Sequence, residues 1–74
     1  MITELQKAVA DLVKAKRKAH NEFQVDLGVA IDRGRTFVSD VENYRKAYNL
    51  EHLNKIAKHY NCRLHDLIPE YPID

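Results

Sequence analysis

Residues 23–43 read FQVDLGVAIDRGRTFVSDVEN and contain two short helical patterns on either side of an interruption. Before the interruption, apolar residues recur at three- and four-residue steps, the spacing of one helix face: Phe23, Leu27, Ala30 and Ile31. Val38 and Val41 repeat that spacing after it. Asp32 and Gly34 lie between the patterns, and Asp is one of the few non-glycine residues that tolerate left-handed backbone. The stretch therefore predicts two helices joined by a sharp turn.

Helical spacing also dominates the flanking sequence, and strand-like alternation is absent from it. A first helix is predicted from Ile2 to about His20, with lysines on its outer face and five apolar positions on its inner face: Leu5, Ala8, Val9, Leu12 and Val13. Another helix should follow Asn49, a good N-cap, and end where Asn61 can adopt left-handed backbone. The run RLHDLI, residues 63–68, predicts a last turn of helix before two prolines, with Leu64, Leu67 and Ile68 in the core. The sequence thus predicts an all-α fold of five helices.

The two central helices need capping residues as well. Asn21 is expected to cap the second helix, with Gln24 three residues later as its capping-box partner. The third helix should begin at Arg35 or Thr36, with Gly34 or Thr36 near its cap. These assignments leave the segment before Arg35 as the turn.

The bulk composition places limits on the class of protein. At 74 residues the chain is one small domain, near the size at which a single hydrophobic core is only just sufficient. We expect a core over about residues 5–68 and a loose tail over residues 69–74. No stretch approaches the length of a membrane span and the N-terminus lacks the pattern of a secretory signal, so we expect a cytoplasmic location and no membrane partner. The single Cys62 allows no internal disulfide and has no zinc-site spacing.

The charge is unevenly distributed although the formal net charge is only +1. Residues 1–20 hold five basic and two acidic side chains, and residues 33–46 hold four basic and two acidic side chains. Residues 21–32 hold three acidic and no basic side chains. Basic surface that can meet a negatively charged partner is therefore expected on the first helix and around the third.

Two helices joined by a three- to four-residue turn form a helix-turn-helix. Residues 23–43 resemble, without a gap, the core of the lambda-repressor-like family, the XRE/Cro-type helix-turn-helix DNA-binding proteins. The residues that carry the resemblance are Gln24, Leu27, Gly28, Ile31 and Asp32, followed by Val38-Ser39 and Val41-Glu42-Asn43. The similarity continues through NLEHLNKIAKHYNCRLHDLI, residues 49–68, and covers roughly residues 12–68. It implies a compact five-helix bundle that contains a helix-turn-helix.

The resemblance also implies roles for individual residues. It implies that about residues 35–44 form the recognition helix, which lies in the major groove of double-stranded DNA. The positions it marks as base-facing are Arg35, Thr36, Phe37 and Asp40. The positions it marks for contact with the DNA backbone are Gln24, Arg33, Asn43, Arg45 and Lys46. By the same pattern, Arg17 of the first helix and Glu42 form a structural ion pair.

The chemistry of these side chains fits such roles, but several have a second reading. Arg35 can donate two hydrogen bonds to guanine, and Gln24 lies at a helix N-terminus, where phosphate binds well. Thr36 is expected either to contact a base or to cap its helix. Asp40 is expected either to accept from cytosine N4 or to pair with a neighbouring arginine. Phe37 is expected either at the DNA surface or packed under the following loop.

Three positions depart from the family's pattern. Phe23 stands where the family prefers a Ser or Thr cap, Tyr44 where it prefers Gly, and Lys16 where it prefers an apolar residue. Asp40 also counts against strong general affinity, because phosphate repels a carboxylate.

The four histidines do not form a recognisable site. His52 and His59 are seven residues apart on one helix, which exceeds the four-residue spacing of a helical metal site. No Ser or Cys stands at a catalytic spacing from a His and a carboxylate, and two glycines make no phosphate loop. We therefore predict a protein that is not an enzyme, with no metal and no cofactor.

The predicted function is sequence-specific binding of double-stranded DNA by a bacterial or phage transcriptional regulator, such as a repressor. A single module makes few contacts, so a homodimer on a two-fold DNA site is expected. Its dimer surface is expected on the fifth helix and the tail, at Ile68, Tyr71, Pro72 and Ile73. The alternative is a protein-interaction module, antitoxin-like or an adaptor, whose partner is a toxin or another regulator. The small net charge and Asp40 motivate that alternative.

Overall fold

A computed structural model describes residues 1–73 of the protein. Its elements are four α-helices and one 3-10 helix: α1 (Glu4–Ala19), α2 (Gln24–Ala30), α3 (Arg35–Glu42), α4 (Leu50–Tyr60) and the 3-10 helix Leu64–Leu67. The all-α prediction is confirmed for these residues. Every helix within residues 1–73 is too short or too polar to traverse a lipid bilayer. Asp74, the last residue of the tail that the sequence predicts to be loose, lies outside the described residues.

The last element differs from the predicted fifth α-helix. It is a single 3-10 turn of four residues. Ile68, which follows it, has extended backbone with φ −129° and ψ 139°, because the residue before a proline is disfavoured in the helical region. Leu67 is buried, whereas Leu64 and Ile68, also expected in the core, are exposed. Pro69 therefore limits this segment to one turn.

Reciprocal hydrogen bonds explain where α1 and α4 begin. Thr3 Oγ1 accepts the N–H of Gln6 at 3.1 Å, and Gln6 Oε1 accepts the N–H of Thr3 at 2.9 Å. Asn49 caps α4 as predicted: its Oδ1 accepts the N–H of His52 at 2.8 Å, and His52 Nδ1 accepts the N–H of Asn49 at 3.1 Å. Both helices therefore start in a capping box, which satisfies two backbone donors at once.

The start of α2 corrects the prediction for Asn21. Asn21 has φ 56° and belongs to the end of α1, and Phe23 is the N-cap residue of α2. Because Phe carries no side-chain oxygen, the available bond runs from the Phe23 N–H to Asp26 Oδ2, at 2.8 Å. α3 begins after Gly34 with no side-chain cap bond, so Thr36 does not cap its helix.

All four α-helices end with a non-glycine residue in the left-handed region: Asn21 (φ 56°), Asp32 (φ 59°), Tyr44 (φ 63°) and Asn61 (φ 51°). The residue after each of them donates its N–H to the carbonyl five positions earlier, as Arg33 does to Gly28 and Arg45 does to Asp40, both at 2.8 Å. This is the Schellman arrangement. It confirms the left-handed backbone predicted at Asp32 and Asn61, and it ends α3 at Glu42, short of the predicted boundary at residue 44.

The hydrophobic core receives side chains from every helix. Its fully buried members are Val13, Leu27, Ile31, Val38, Val41, Ile56 and Leu67. On α1 the predicted Val9 and Val13 are buried, but Leu5 and Leu12, also predicted to face inward, are 45% and 37% exposed. Ala10 and Arg17 are buried there instead. The 3-10 helix packs against α1 and α4, and half-buried Cys62 packs against the core.

Gly28 allows the backbone of α2 to contact the start of α3. A Cβ atom added to Gly28 would lie 2.8 Å from the carbonyl carbon and oxygen of Gly34 and 3.1 Å from the nitrogen of Arg35. All three are backbone atoms, which cannot rotate away as a flexible side chain can. This contact therefore fixes the place where α3 begins.

Arg17 and Glu42 form a buried ion pair between α1 and α3. Arg17 Nε donates to Glu42 Oε2 at 2.8 Å and Nη2 donates to Oε1 at 3.0 Å, so the pair is bidentate. Arg17 Nη1 donates to the carbonyl of Glu22 at 2.7 Å. Gln24 Nε2, at the start of α2, donates to Glu42 Oε1 at 3.0 Å. The two residues that the resemblance pairs are thus in contact, and their network joins three helices.

Hydrogen bonding keeps this pair charged despite its burial. Burial acts to raise the pKa of Glu42, but the hydrogen bonds from Arg17 and Gln24 outweigh it and the pKa is lowered. The hydrogen bond to Glu42 likewise raises the pKa of Arg17. The hydroxyl of Tyr48 is also buried but has no hydrogen-bond partner among residues 1–73. Burial, with the charge of Glu42, raises the pKa of that hydroxyl.

Gly28→Ala is expected to lower the free energy of unfolding by about 1–3 kcal/mol, because the new methyl group overlaps backbone atoms. Gly34→Ala is the matched control, since a Cβ at Gly34 has nothing within 4 Å and its φ is −102°. That variant should lose less than about 1 kcal/mol, the scale of an N-cap change. Urea unfolding followed by circular dichroism measures both. Equal losses for the two variants contradict the close contact at Gly28.

Glu42→Ala is expected to cost about 3–5 kcal/mol, because it leaves the buried Arg17 guanidinium without its carboxylate. The double variant Arg17→Met with Glu42→Leu should recover most of that loss, since it removes both charges together. Glu4→Ala, which breaks the exposed Lys7–Glu4 pair of 3.5 Å, serves as control and should cost less than about 1 kcal/mol. If the double variant is less stable than Glu42→Ala, the unpaired charge is not the source of the loss.

Candidate nucleic-acid interface

The first turn of α3 presents Arg35 and Thr36 to solvent. The left-handed Asp32 and the contact between Gly28 and Gly34 reverse the chain so that α3 starts beside α2. Neither Arg35 nor Thr36 makes a side-chain hydrogen bond within residues 1–73, and the first backbone N–H groups of a helix have no partner inside it. Side-chain and backbone donors are therefore available together at this end of α3.

Phe37 does not lie at this surface, so the base-facing prediction is wrong for it. Its side chain is only 8% exposed and belongs to the core. Its ring centroid lies 5.0 Å from that of His52 and 6.0 Å from that of Tyr48. Phe37 and Val41 are four residues apart on one helix face, which is the sequence signal for its burial. The reading that packs Phe37 under the following loop is the one the structure shows.

Two cations that were predicted to contact the DNA backbone lie near the ring of Phe37. The guanidinium carbon of Arg33 is 4.2 Å from the ring centroid, and Nζ of Lys46 is 5.7 Å from it. Cation–π contacts of this kind hold a positive group in place while it stays exposed. Arg33 precedes α3 and Lys46 follows it, so Phe37 brings cations from both ends of the helix close together.

Asp40, predicted to face a base or to pair with a neighbouring arginine, lies near two cations of the segment after α3. Its Oδ1 lies 3.6 Å from Arg45 Nη1 and its Oδ2 lies 3.6 Å from Lys46 Nζ. The side chain of Asp40 is 20% exposed, whereas those of Arg45 and Lys46 are 71% and 51% exposed. The predicted pairing with a neighbouring arginine is present, because the chain after α3 turns back over its last residues, and contact of Asp40 with a base remains a prediction.

The amides of Gln24 and Asn43 are partly engaged inside the protein. Gln24 Nε2 donates to Glu42, and Asn43 Nδ2 donates to the carbonyl of Ser39 at 2.8 Å. A side-chain amide has two N–H donors and an acceptor oxygen, so each retains capacity for another partner. Contact of Gln24 and Asn43 with a DNA backbone remains a prediction. The bonds within the protein already set the orientation of both amides.

Tyr44 and Asp11 direct the chain after α3, and the sequence reasoning missed this pair. Tyr44 donates its hydroxyl hydrogen to Asp11 Oδ1 at 2.6 Å, and this bond raises the pKa of Tyr44. Lys7 Nζ lies 5.7 Å from the same ring. The signals were a tyrosine where the family prefers glycine and a single aspartate among the lysines of α1. The pair ties the left-handed end of α3 to α1, just before Arg45.

His52 lies behind this surface, at the start of α4. Burial first, and then the charges of Arg33 and Lys55, lower the pKa of His52. Its Nδ1 must be unprotonated to accept the N–H of Asn49 in the capping box. A positive charge in the first turn of a helix is also unfavourable. The folded protein therefore favours neutral His52.

The surface as a whole carries groups that can bind an extended anion. Its exposed basic side chains stand at the two ends of α3: Arg33, Arg35, Arg45 and Lys46. The part of the chain that the structure describes has no group of three His, Cys, Asp or Glu side chains that could hold a metal ion. The arrangement suits charge pairing and hydrogen bonding with a phosphate-bearing partner.

The free energy of unfolding is expected to fall as the pH drops below about 6.5, which is the usual pKa of His in an unfolded chain. The fall continues toward the lowered pKa of His52 in the folded protein. The sign follows because the unfolded chain takes up a proton at His52 that the folded chain resists. The variant His52→Gln keeps a hydrogen-bond acceptor for the cap but has no titrating group. The midpoints of its urea unfolding at pH 7.5 and pH 5 should therefore differ less than those of the wild type. His65→Gln, at an exposed position, is the control. An unchanged difference in His52→Gln contradicts this origin.

Comparisons with protein-family models, with curated proteins and with solved structures found no match to this chain. Its function is therefore argued from its own residues: an exposed first turn of α3, with basic side chains at both ends of the helix.

Proposed function

We propose that this protein is a helix-turn-helix binder of double-stranded DNA and acts in the cytoplasm as a transcriptional regulator of bacterial or phage type. In this proposal α2 and α3 form the helix-turn-helix and α3 is the recognition helix. The observation that carries it is the free first turn of α3, where Arg35 and Thr36 are exposed and unpaired within residues 1–73. The resemblance over roughly residues 12–68 supports the same reading.

The chemistry of the exposed groups assigns them different tasks. An α-helix fits the major groove, which is about 12 Å wide, and a guanidinium there can donate to guanine O6 and N7. Arg35 would take that role, and Thr36 would meet a thymine methyl group or a phosphate. Arg33, Arg45 and Lys46 would contact phosphates, which give affinity without sequence information.

The same proposal includes a homodimer, because one short helix reads too few base pairs for useful specificity. A surface cavity of about 170 Å³ is lined mainly by apolar side chains of α1, α4 and the C-terminal segment, among them Leu5, Leu50 and Ile68. Leu50 is 77% exposed. Tyr71 and Ile73, in the tail, are exposed as well. Apolar groups exposed together support an association surface there.

A second candidate is the protein-interaction module, antitoxin-like or an adaptor. It is favoured by the apolar side chains on the outer face of α2, where Phe23 and Val29 are 75% and 70% exposed and Val25 is also exposed. The same segment carries acidic residues. The contact surface of a partner, which would be a toxin or another regulator, would therefore be apolar and basic.

Binding to duplex DNA tests the proposal, beginning with the preferred sequence selected from a random library. Arg35→Ala should lose about 1–3 kcal/mol of preference at one base-pair position, whereas Arg45→Ala should weaken binding to every sequence. The wild-type affinity should fall with salt with a slope of about −0.9 per phosphate contact. Arg63→Ala, at the turn before the 3-10 helix, is the matched control and should change neither property.

Two outcomes decide against the proposal. A folded wild-type protein with no duplex affinity at low salt favours the interaction module. Equal effects of Arg35→Ala and Arg45→Ala on all sequences contradict the division into base and phosphate contacts.

A further inference from the structure

The carboxylate of Asp40 has one cation at each oxygen, and both cations come from the segment that follows α3. The distances to Arg45 Nη1 and Lys46 Nζ are both 3.6 Å. The side chains of Arg45 and Lys46 are 71% and 51% exposed, whereas that of Asp40 is 20% exposed. An anion that approaches either cation from solvent therefore also meets the negative charge of Asp40 at short range.

The backbone enforces this arrangement. The N–H of Arg45 donates to the carbonyl of Asp40 at 2.8 Å, and left-handed Tyr44 turns the chain back over the end of α3. Tyr44 is in turn held by Asp11 of α1. The pairing is consequently a property of the folded chain end, although pairs this exposed contribute little to stability.

We propose that Asp40 lowers the affinity of Arg45 and Lys46 for the DNA backbone, on every sequence alike. The proposal rests on the proposed DNA-binding function. Phosphate contacts supply most of the affinity for DNA of any sequence. A fixed negative charge between two phosphate-binding cations reduces that contribution without reading a base, so base preference has to come from Arg35. The protein then leaves every duplex more readily, whatever its sequence.

The restraint differs from a base-reading role for Asp40 in a measurable way. A carboxylate that accepts from cytosine N4 favours one base pair, and its removal relaxes preference at that position. A carboxylate that restrains phosphate contacts weakens binding to all duplexes equally. Its removal therefore strengthens binding to all of them. The two roles therefore predict opposite changes for the preferred sequence.

The test is the variant Asp40→Asn, compared with the wild type on the preferred duplex and on unrelated duplexes over a range of salt. Affinity for all duplexes should rise by about three- to tenfold. The salt dependence should steepen by about one phosphate contact. The ratio of affinities for preferred and unrelated duplexes should stay the same. Glu70→Gln, which removes the same charge in the C-terminal segment, is the matched control and should leave all three unchanged.

A second comparison shows whether Asp40 acts through its two partners. Asp40→Asn is introduced into a chain that already carries Arg45→Gln and Lys46→Gln, where its gain in affinity should disappear. A gain that persists there overturns the proposal, as does a single-position loss of preference in Asp40→Asn. If the wild type binds DNA and Asp40→Asn binds it with the same affinity, the restraint is overturned but the DNA-binding function is not. Absence of duplex binding in both proteins overturns the DNA-binding function with it.

Discussion

The bidentate ion pair between Arg17 and Glu42 is the interaction on which the arrangement of α1, α2 and α3 depends. Both groups are buried in a chain whose core is small, so each needs a full set of partners. Glu42 obtains them from Arg17 and Gln24, and Arg17 from Glu42 and the carbonyl of Glu22. These partners can meet only when the three helices take one relative position. The pair therefore fixes the direction in which the exposed first turn of α3 points.

A second constraint is that the chain changes direction at left-handed residues that are not glycine. This conformation costs a non-glycine residue roughly 1–2 kcal/mol. Two of the four positions are held by side-chain bonds from another helix: Asp32 with Lys55 at 2.9 Å and Tyr44 with Asp11 at 2.6 Å. The residues after these two positions are Arg33 and Arg45, whose N–H groups bond back to the preceding helix. The strained helix ends thus place one cation at each end of α3, Arg33 before the helix and Arg45 after it.

The sequence predicts those features that depend on neighbours in the chain. Apolar spacing locates the helices, and the cap at Asn49 and the left-handed backbone at Asp32 follow from the chemistry of single side chains. The burial of Phe37 was harder to predict because it depends on the return of the loop that carries Tyr48. The end of α3 was missed for a related reason. Tyr44 reaches left-handed backbone with help from a hydroxyl bond to a helix more than thirty residues away, which no local pattern contains.

In the proposed DNA complex, the charges around α3 would separate affinity from sequence preference. Arg33 lies on the ring of Phe37, and Arg45 shares Asp40 with another cation, so these flanking groups already have partners in the free protein. Arg35 has no acidic partner within residues 1–73. In the proposed complex, a DNA phosphate would compete with these existing partners, whereas Arg35 would gain a new partner at a complementary base. In the proposed complex, a chain with a net charge of only +1 would therefore favour particular sequences through Arg35, whose guanidinium has no acidic partner within residues 1–73.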